Sequence, residues 1–393
     1  MKNIILNFFK FLNLTYPKKL NQIIFLSSPD FSDNSFATFK YLIENATIGY
    51  KYIWLVDEIE NKNLYFNMIK NNIDIEDNEL CKIKIIDKKS FCGLLNYINS
   101  RYIFFTHGFY AGMSLPKSQV RINLWHGMPL KTIGYLDTAN QSMDIQKCTY
   151  TIATSKRFQK IMSDAFLLKS NSVLTTGQPR CDFLFNQSGC LTTLGIKKEQ
   201  YKKIIFWAPT YRNTEDGKMQ DGDFQNHLPL LNNGELSKLN EYLLSIKSYM
   251  LIKLHPMDAL NKHDFEKYSN ITIIKKMDLL ENSCQLYSLL SEVDILLTDF
   301  SSIYIDFLLL NKPIIFAIDD FDVYKKTRNF VFSEPKGFMP GAIVENYTEL
   351  INVLDDLIVR GNDCYIDKRD KVKKEFHLHE RGFSNRLIES LQL

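Results

Sequence analysis

Short apolar runs recur along the chain, separated by polar turns and by stretches whose apolar positions repeat at helical spacing. Runs at residues 22–26, 52–56, 82–86, 102–105, 119–124, 149–153 and 173–177 predict one series of strands, and runs at 203–209, 249–254, 271–274, 295–297 and 314–318 predict a second. Most are apolar without alternation, as expected for strands covered by helices on both faces of a parallel sheet. Helices are predicted at 36–43, 90–99 and 156–166, the last capped by Ser155, and through the tail from 350 to 393. Strands alternating with helices imply two Rossmann-like halves, 21–185 and 200–372, facing across a cleft. Residues 186–202 read as the connection, and 373–393 as a last helix crossing back to the first half. The polar stretch 211–236, with Asp221, Gly222 and Asp223, is too long for a turn and predicts a flap over the cleft.

The chain is organised around residues 294–318. Ile295, Leu296 and Leu297 form a strand, Thr298, Asp299, Ser301 and Ser302 a polar turn, and Pro313 opens the next strand. Ser, Thr and Asp at a helix start leave free N–H groups at the sheet's carboxyl edge, which suits a phosphate. The same residues also serve as helix caps, and this stretch alone fits either role.

Composition narrows the possibilities. With 393 residues, 45% of them hydrophobic, the chain has the material for two cores. A net charge of +3 leaves no overall field to recruit nucleic acid, so an anion site must be local. The seven cysteines are scattered and show no CxxC spacing, which predicts neither a disulfide framework nor a zinc site and fits a reducing cytoplasm. No apolar run reaches the length of a membrane span. Residues 1–20 combine Phe8, Phe9, Phe11, Leu12 and Leu14 with Lys2, Lys10, Lys18 and Lys19, which fits either a helix lying on the inner face of the cell membrane or a first helix packed on the domain. GxGxxG and P-loop motifs are absent from the sequence.

Candidate chemistry gathers at strand ends. His126, within Trp125-His126-Gly127-Met128-Pro129, follows the run at 119–124, where an imidazole can take a proton from a hydroxyl. His255 ends the run at 249–254 in the second half, where it can meet departing phosphate oxygens; Lys253 alternates with Leu254 and is expected to point elsewhere. Arg212, in Ala208-Pro209-Thr210-Tyr211-Arg212, can form a bidentate phosphate contact, with Arg180 and Arg328 as weaker candidates. His107 lines the cleft at most, and His377 and His379 are spaced wrongly for a metal pair on a helix.

In order, Trp125-His126-Gly127-x-Pro129, Thr154-Ser155, Gly177-x-Pro179-Arg180-x-Asp182, Ala208-Pro209-Thr210-Tyr211-Arg212, His255-Pro256 and Thr298-Asp299-x-Ser301-Ser302 closely resemble the CDP-glycerol glycerophosphotransferase family of teichoic-acid primases and polymerases, across residues 100–380. The resemblance implies an α/β GT-B fold with an acceptor half and a donor half, and a transfer that needs no metal or cofactor. The donor would be CDP-glycerol or CDP-ribitol, the acceptor a hydroxyl on a teichoic-acid-like or capsular polymer or a lipid-linked saccharide, and the leaving group CMP. His126 would be the base and His255 the phosphate-contacting histidine. Pro209, Thr210, Arg212, Thr298, Asp299, Ser301, Ser302 and Arg328 would hold the donor, and Trp125, Gly127 and Asp137 would face the acceptor. Two rival readings are a GT-B nucleotide-sugar glycosyltransferase or epimerase, with Asp137 and Asp182 as its carboxylates, and a non-catalytic polymer-binding module.

Overall fold

The computed structural model describes residues 2–46, 49–137, 145–186, 188–210, 228–231, 234–253, 265–319, 321 and 329–393. Two parallel sheets carry the architecture. The first contains β1 (Lys19–Leu26), β2 (Lys51–Val56), β3 (Ile83–Asp87), β4 (Ser100–Phe105), β5 (Val120–Asn123), β6 (Tyr150–Ile152) and β7 (Val173–Leu174), in the order β3-β2-β1-β4-β5-β6-β7. The second contains β8 (Lys203–Ala208), β9 (Ser248–Lys253), β10 (Ile271–Ile274), β11 (Ile295–Thr298), β12 (Ile314–Ala317) and β13 (Ala342–Val344), in the order β10-β9-β8-β11-β12-β13. In both sheets the order reverses beside the first strand, between β1 and β4 and between β8 and β11. Loops leaving the carboxyl ends at such a reversal diverge and open a crevice. This is the GT-B-like arrangement.

Burial explains the elements. Ile23, Ile24, Phe25 and Leu26 are all buried, as are Ile204 to Trp207 and Ile295 to Leu297, so both faces of these strands are covered. Phe25 stacks on Phe104 of β4 with centroids 5.4 Å apart, and Phe31 stacks on Trp54 at 4.2 Å. The helix Lys156–Phe166 starts where expected, with the Ser155 hydroxyl accepting from the Phe158 N–H. Two features differ from expectation. β13 is only three residues long, too short to stand out as an apolar run. The tail is not one helix but a series, Tyr347–Leu354, Ile366–Phe376 and Phe383–Leu391, with a π-helical turn at Asp355–Val359 following the first. Residues 211–227 of the expected flap lie outside the described residues; Leu228, Leu230 and Leu231 at its end are buried in the core of the second half.

The last helix packs on the first half. Asp182 accepts from the Phe383 and Ser384 N–H groups at 3.0 and 2.9 Å, placing a carboxylate at that helix's N-terminus. Gly177, at φ +82°, leaves room for the Phe383 ring: a Cβ there would lie 2.2 Å from it. Gly177→Ala should cost about 2–4 kcal/mol, combining a left-handed backbone with overpacking. Urea unfolding of the full chain checks this, and an unchanged midpoint contradicts it.

Candidate active site

The crevice between the sheets holds a cavity of about 240 Å³ that draws residues from both halves, among them His126 and Arg180 from the first and Lys253, Ser301 and Ser302 from the second. The halves come close together at Gly127. Its φ is +138°, and a Cβ there would stand 2.3 Å from the Ser302 hydroxyl oxygen and 3.1 Å from an Arg180 guanidinium nitrogen. Only glycine fits, and this brings His126 and the start of the helix Ile303–Phe307 to one place.

His126 is held on every side. Trp125 before it adopts φ +50°, strained for a large side chain. The Asn34 carboxamide secures that turn, donating to the carbonyls of Leu124 and Trp125 at 3.1 Å each. The imidazole lies between two rings, with centroids 4.1 Å from both Trp125 and His107. Its Nδ1 stands 3.3 Å from the Thr106 carbonyl oxygen, which can only accept, so Nδ1 carries the proton and Nε2 is the basic nitrogen. Burial, then the neighbouring His107, hold its pKa well below the ordinary 6.5, so the ring is neutral near physiological pH.

In the wall of the cavity a buried charge joins the halves. The Arg180 guanidinium donates to Asp306 at 2.7 Å, to both oxygens of Asp33 at 3.0 Å and to the His126 carbonyl at 3.0 Å. Gln178 and Tyr287 also donate to Asp306, at 2.6 and 2.5 Å, and the Arg180 N–H donates to Asn34. Burial disfavours the Arg180 charge, but Asp33, Tyr287 and Asp306 outweigh it and raise its pKa further. Most of its donors are thus held within the protein, although Arg180 also lines the cavity.

On the second half, the predicted residues separate into two groups. Ser301 and Ser302 line the cavity. Thr298 and Asp299 are fully buried: the Thr298 hydroxyl donates to the Ala208 carbonyl, and Asp299 accepts from both the N–H and the hydroxyl of Thr210 at 2.8 Å. That bond ties the loop after β8, with Pro209 buried in it, to the loop after β11 across the strand-order reversal. Thr298, Asp299 and Thr210 therefore shape the edge instead of reaching the cavity. The helix expected to aim a dipole at phosphate is only Ile303–Phe307, and Ser302 makes no side-chain cap bond, so its contribution is hydroxyls and free N–H groups more than a long dipole. Lys253 faces the cavity, contrary to expectation, and burial lowers its ammonium pKa. Asp137 ends the turn Gly134–Leu136 and is not among the cavity-lining residues. His255, Arg212 and Arg328 lie outside the described residues. Among the described residues no cluster of His, Cys, Asp and Glu could hold a metal ion.

His107 lies against His126 and is not among the cavity-lining residues. β4 and β5 pair in register, Phe105 opposite Asn123, so residues just past both strand ends are neighbours. His107 and His126 stand two and three positions beyond those paired ends.

A two-half α/β scaffold whose shared crevice is lined by an imidazole, two serine hydroxyls and an ammonium places the protein in the GT-B-like class. The chain belongs to the CDP-Glycerol:Poly(glycerophosphate) glycerophosphotransferase family, which it matches over residues 8–391. It is 29% identical over 293 residues to the teichoic acid glycerol-phosphate transferase of Staphylococcus aureus, covering 68% of this chain and 69% of that protein. It is 25% identical over 393 residues to a teichoic acid poly(glycerol phosphate) polymerase of Bacillus spizizenii, covering 91% of each. In structure it is similar to the wall teichoic acid polymerase TagF, with a TM-score of 0.75 and 20% identity, across 100% of this chain and 94% of that one.

Burial is the first cause of lowered pKa at His107, His126 and His377 alike. The unfolded chain regains the ordinary 6.5 and binds protons that the folded state refuses, so stability is full above that value and is lost as pH falls below it. Denaturant midpoints should therefore fall between about pH 6.5 and 5, above the range where carboxylates titrate. A flat stability profile over that interval contradicts the neutral burial of these rings.

Proposed function

We propose that this protein transfers glycerol phosphate, or a related alditol phosphate, from a CDP-activated donor to a hydroxyl of a teichoic-acid-like or capsular polymer. His126 Nε2 takes the acceptor's proton, the acceptor oxygen attacks the alditol-bearing phosphorus in line, and the bond to CMP breaks, CMP leaving with the electron pair. Lys253, Ser301 and Ser302 hold the diphosphate from the second half, joined by His255, Arg212 and Arg328, while Trp125, Gly127 and Asp137 belong to the acceptor side. The tautomer of His126 carries the reading, because it leaves the basic nitrogen to the cavity that Ser301, Ser302 and Lys253 share. A diphosphate bound there brings negative charge beside the ring and raises its basicity at the moment of transfer.

With a polymer acceptor present, CDP-glycerol or CDP-ribitol should yield CMP, and His126→Ala should slow this by roughly 10²–10⁴-fold with KM little changed. Turnover of a UDP-sugar, with neither CDP-alditol consumed, overturns the assignment.

We further propose that the helix Lys2–Thr15 rests on the membrane where a lipid-linked acceptor is found. Phe9 and Leu12 pack against the core, while Phe8 and Phe11 remain 57% and 64% exposed, and Phe91, whose ring meets that of Phe9, is 64% exposed. Among the described residues no helix is long and apolar enough to cross a membrane, so the contact is peripheral. Co-sedimentation with phosphatidylglycerol vesicles should be strong for the wild type and reduced several-fold for the Phe8→Ser/Phe11→Ser double variant. Equal binding of the two proteins removes the helix from that role.

A further inference from the structure

We propose that His107 is a positioning residue for His126, its ring lying flat on the imidazole to hold it in register with the cavity and to set the acidity at which the base fails. This rests on the proposed role of His126 as the proton acceptor.

The geometry is specific. The two imidazoles are 9° from parallel with centroids 4.1 Å apart, and Trp125 covers the other face of His126 at 30°. Thr106 orients both rings: its carbonyl oxygen meets His126 Nδ1, and its hydroxyl bonds His107 Nδ1 at 3.0 Å. The loop beyond His107 is anchored, since the N–H groups of Phe109 and Tyr110 both donate to the buried Gln146 carboxamide oxygen at 2.9 and 3.1 Å. Gly108 lets that loop approach, for a Cβ there would lie 2.9 Å from the Gln146 side chain. The stack is thus fixed by backbone and buried side chains at both ends.

Two imidazoles this close resist carrying charge together, so they take up protons as a coupled pair. The groups that act on His107 are His126 after β5, Lys88 after β3, Asp33 at the start of the helix Asp33–Asn45, and Arg180. Lys88 is paired with Asp57, and Arg180 with Asp33 and Asp306. Under the proposed function, His126 is therefore the neighbour whose charge changes during the transfer. When His126 accepts the acceptor's proton, a neutral His107 ring offers its π face to the new cation. When His107 is protonated first, in mild acid, it opposes charging of His126 and keeps that ring deprotonated to lower pH.

The test separates stacking from charge. His107→Phe retains a flat ring and removes the second proton site; the acid limb of kcat/KM and the NMR titration of the His126 ring protons should both move to higher pH, by roughly 0.5–1 unit. His107→Ala removes the ring, and kcat should fall roughly tenfold with KM within about twofold, a loss that Phe restores near neutral pH. A His107→Phe protein that titrates like the wild type overturns the proposal, as does a His107→Ala protein with wild-type kcat. The NMR titration needs no substrate, so failure of the transferase assignment is read separately, as absence of CMP release by the wild type. Should His107→Ala not fold, the titration of His107→Phe still decides.

Discussion

One buried guanidinium holds the two halves in working relation. Arg180 comes from the first half and Asp306 from the second, and neither has water to fall back on. Stripping a buried charge of its partner typically costs about 3–5 kcal/mol, far more than the pair returns when intact, so the contact works as a constraint on geometry. The same guanidinium holds the His126 carbonyl and Asp33, while Asn34 next to Asp33 secures the turn that carries Trp125 and His126. His126, the loop opposite it and the closeness of the halves thus share one anchor. A second tie runs alongside: the Thr132 N–H donates to the Asn329 carbonyl and the Val331 N–H to that of Leu130.

Much of the fold was legible because parallel strands buried on both faces leave uninterrupted apolar runs, and all the predicted runs are strands within a residue or a few at each end. What escaped was short or context-bound. β13 has three residues, and the tail's breaks fall at Gly361 and Gly382, both at positive φ, inside a stretch whose composition reads as helical throughout.

The site was legible in part, and the reason differs by residue. His126 announced itself by its strand end and its glycine, and the structure supplies the cause for that glycine in the Ser302 hydroxyl. Thr298, Asp299 and Arg180 look like ligand groups in sequence, yet the Thr298 hydroxyl, the Asp299 Oδ2 and most of the Arg180 donors bond within the protein; only the partner of a hydrogen bond distinguishes the two, and partners are not written in the chain. Lys253 was missed for the opposite reason. Alternation along a strand predicts which face a side chain leaves from, but at the last residue of a strand a long, flexible side chain bends round the edge.

The placement of Trp125 has an optical consequence. The chain has three tryptophans, and Trp54 and Trp207 are sealed inside the two cores. The third lies against the imidazole of His126. An excited indole surrenders its electron to imidazolium much more readily than to neutral imidazole, so the emission of this single residue dims when the ring beside it gains a proton. The protein thus carries its own indicator dye beside the His126 imidazole.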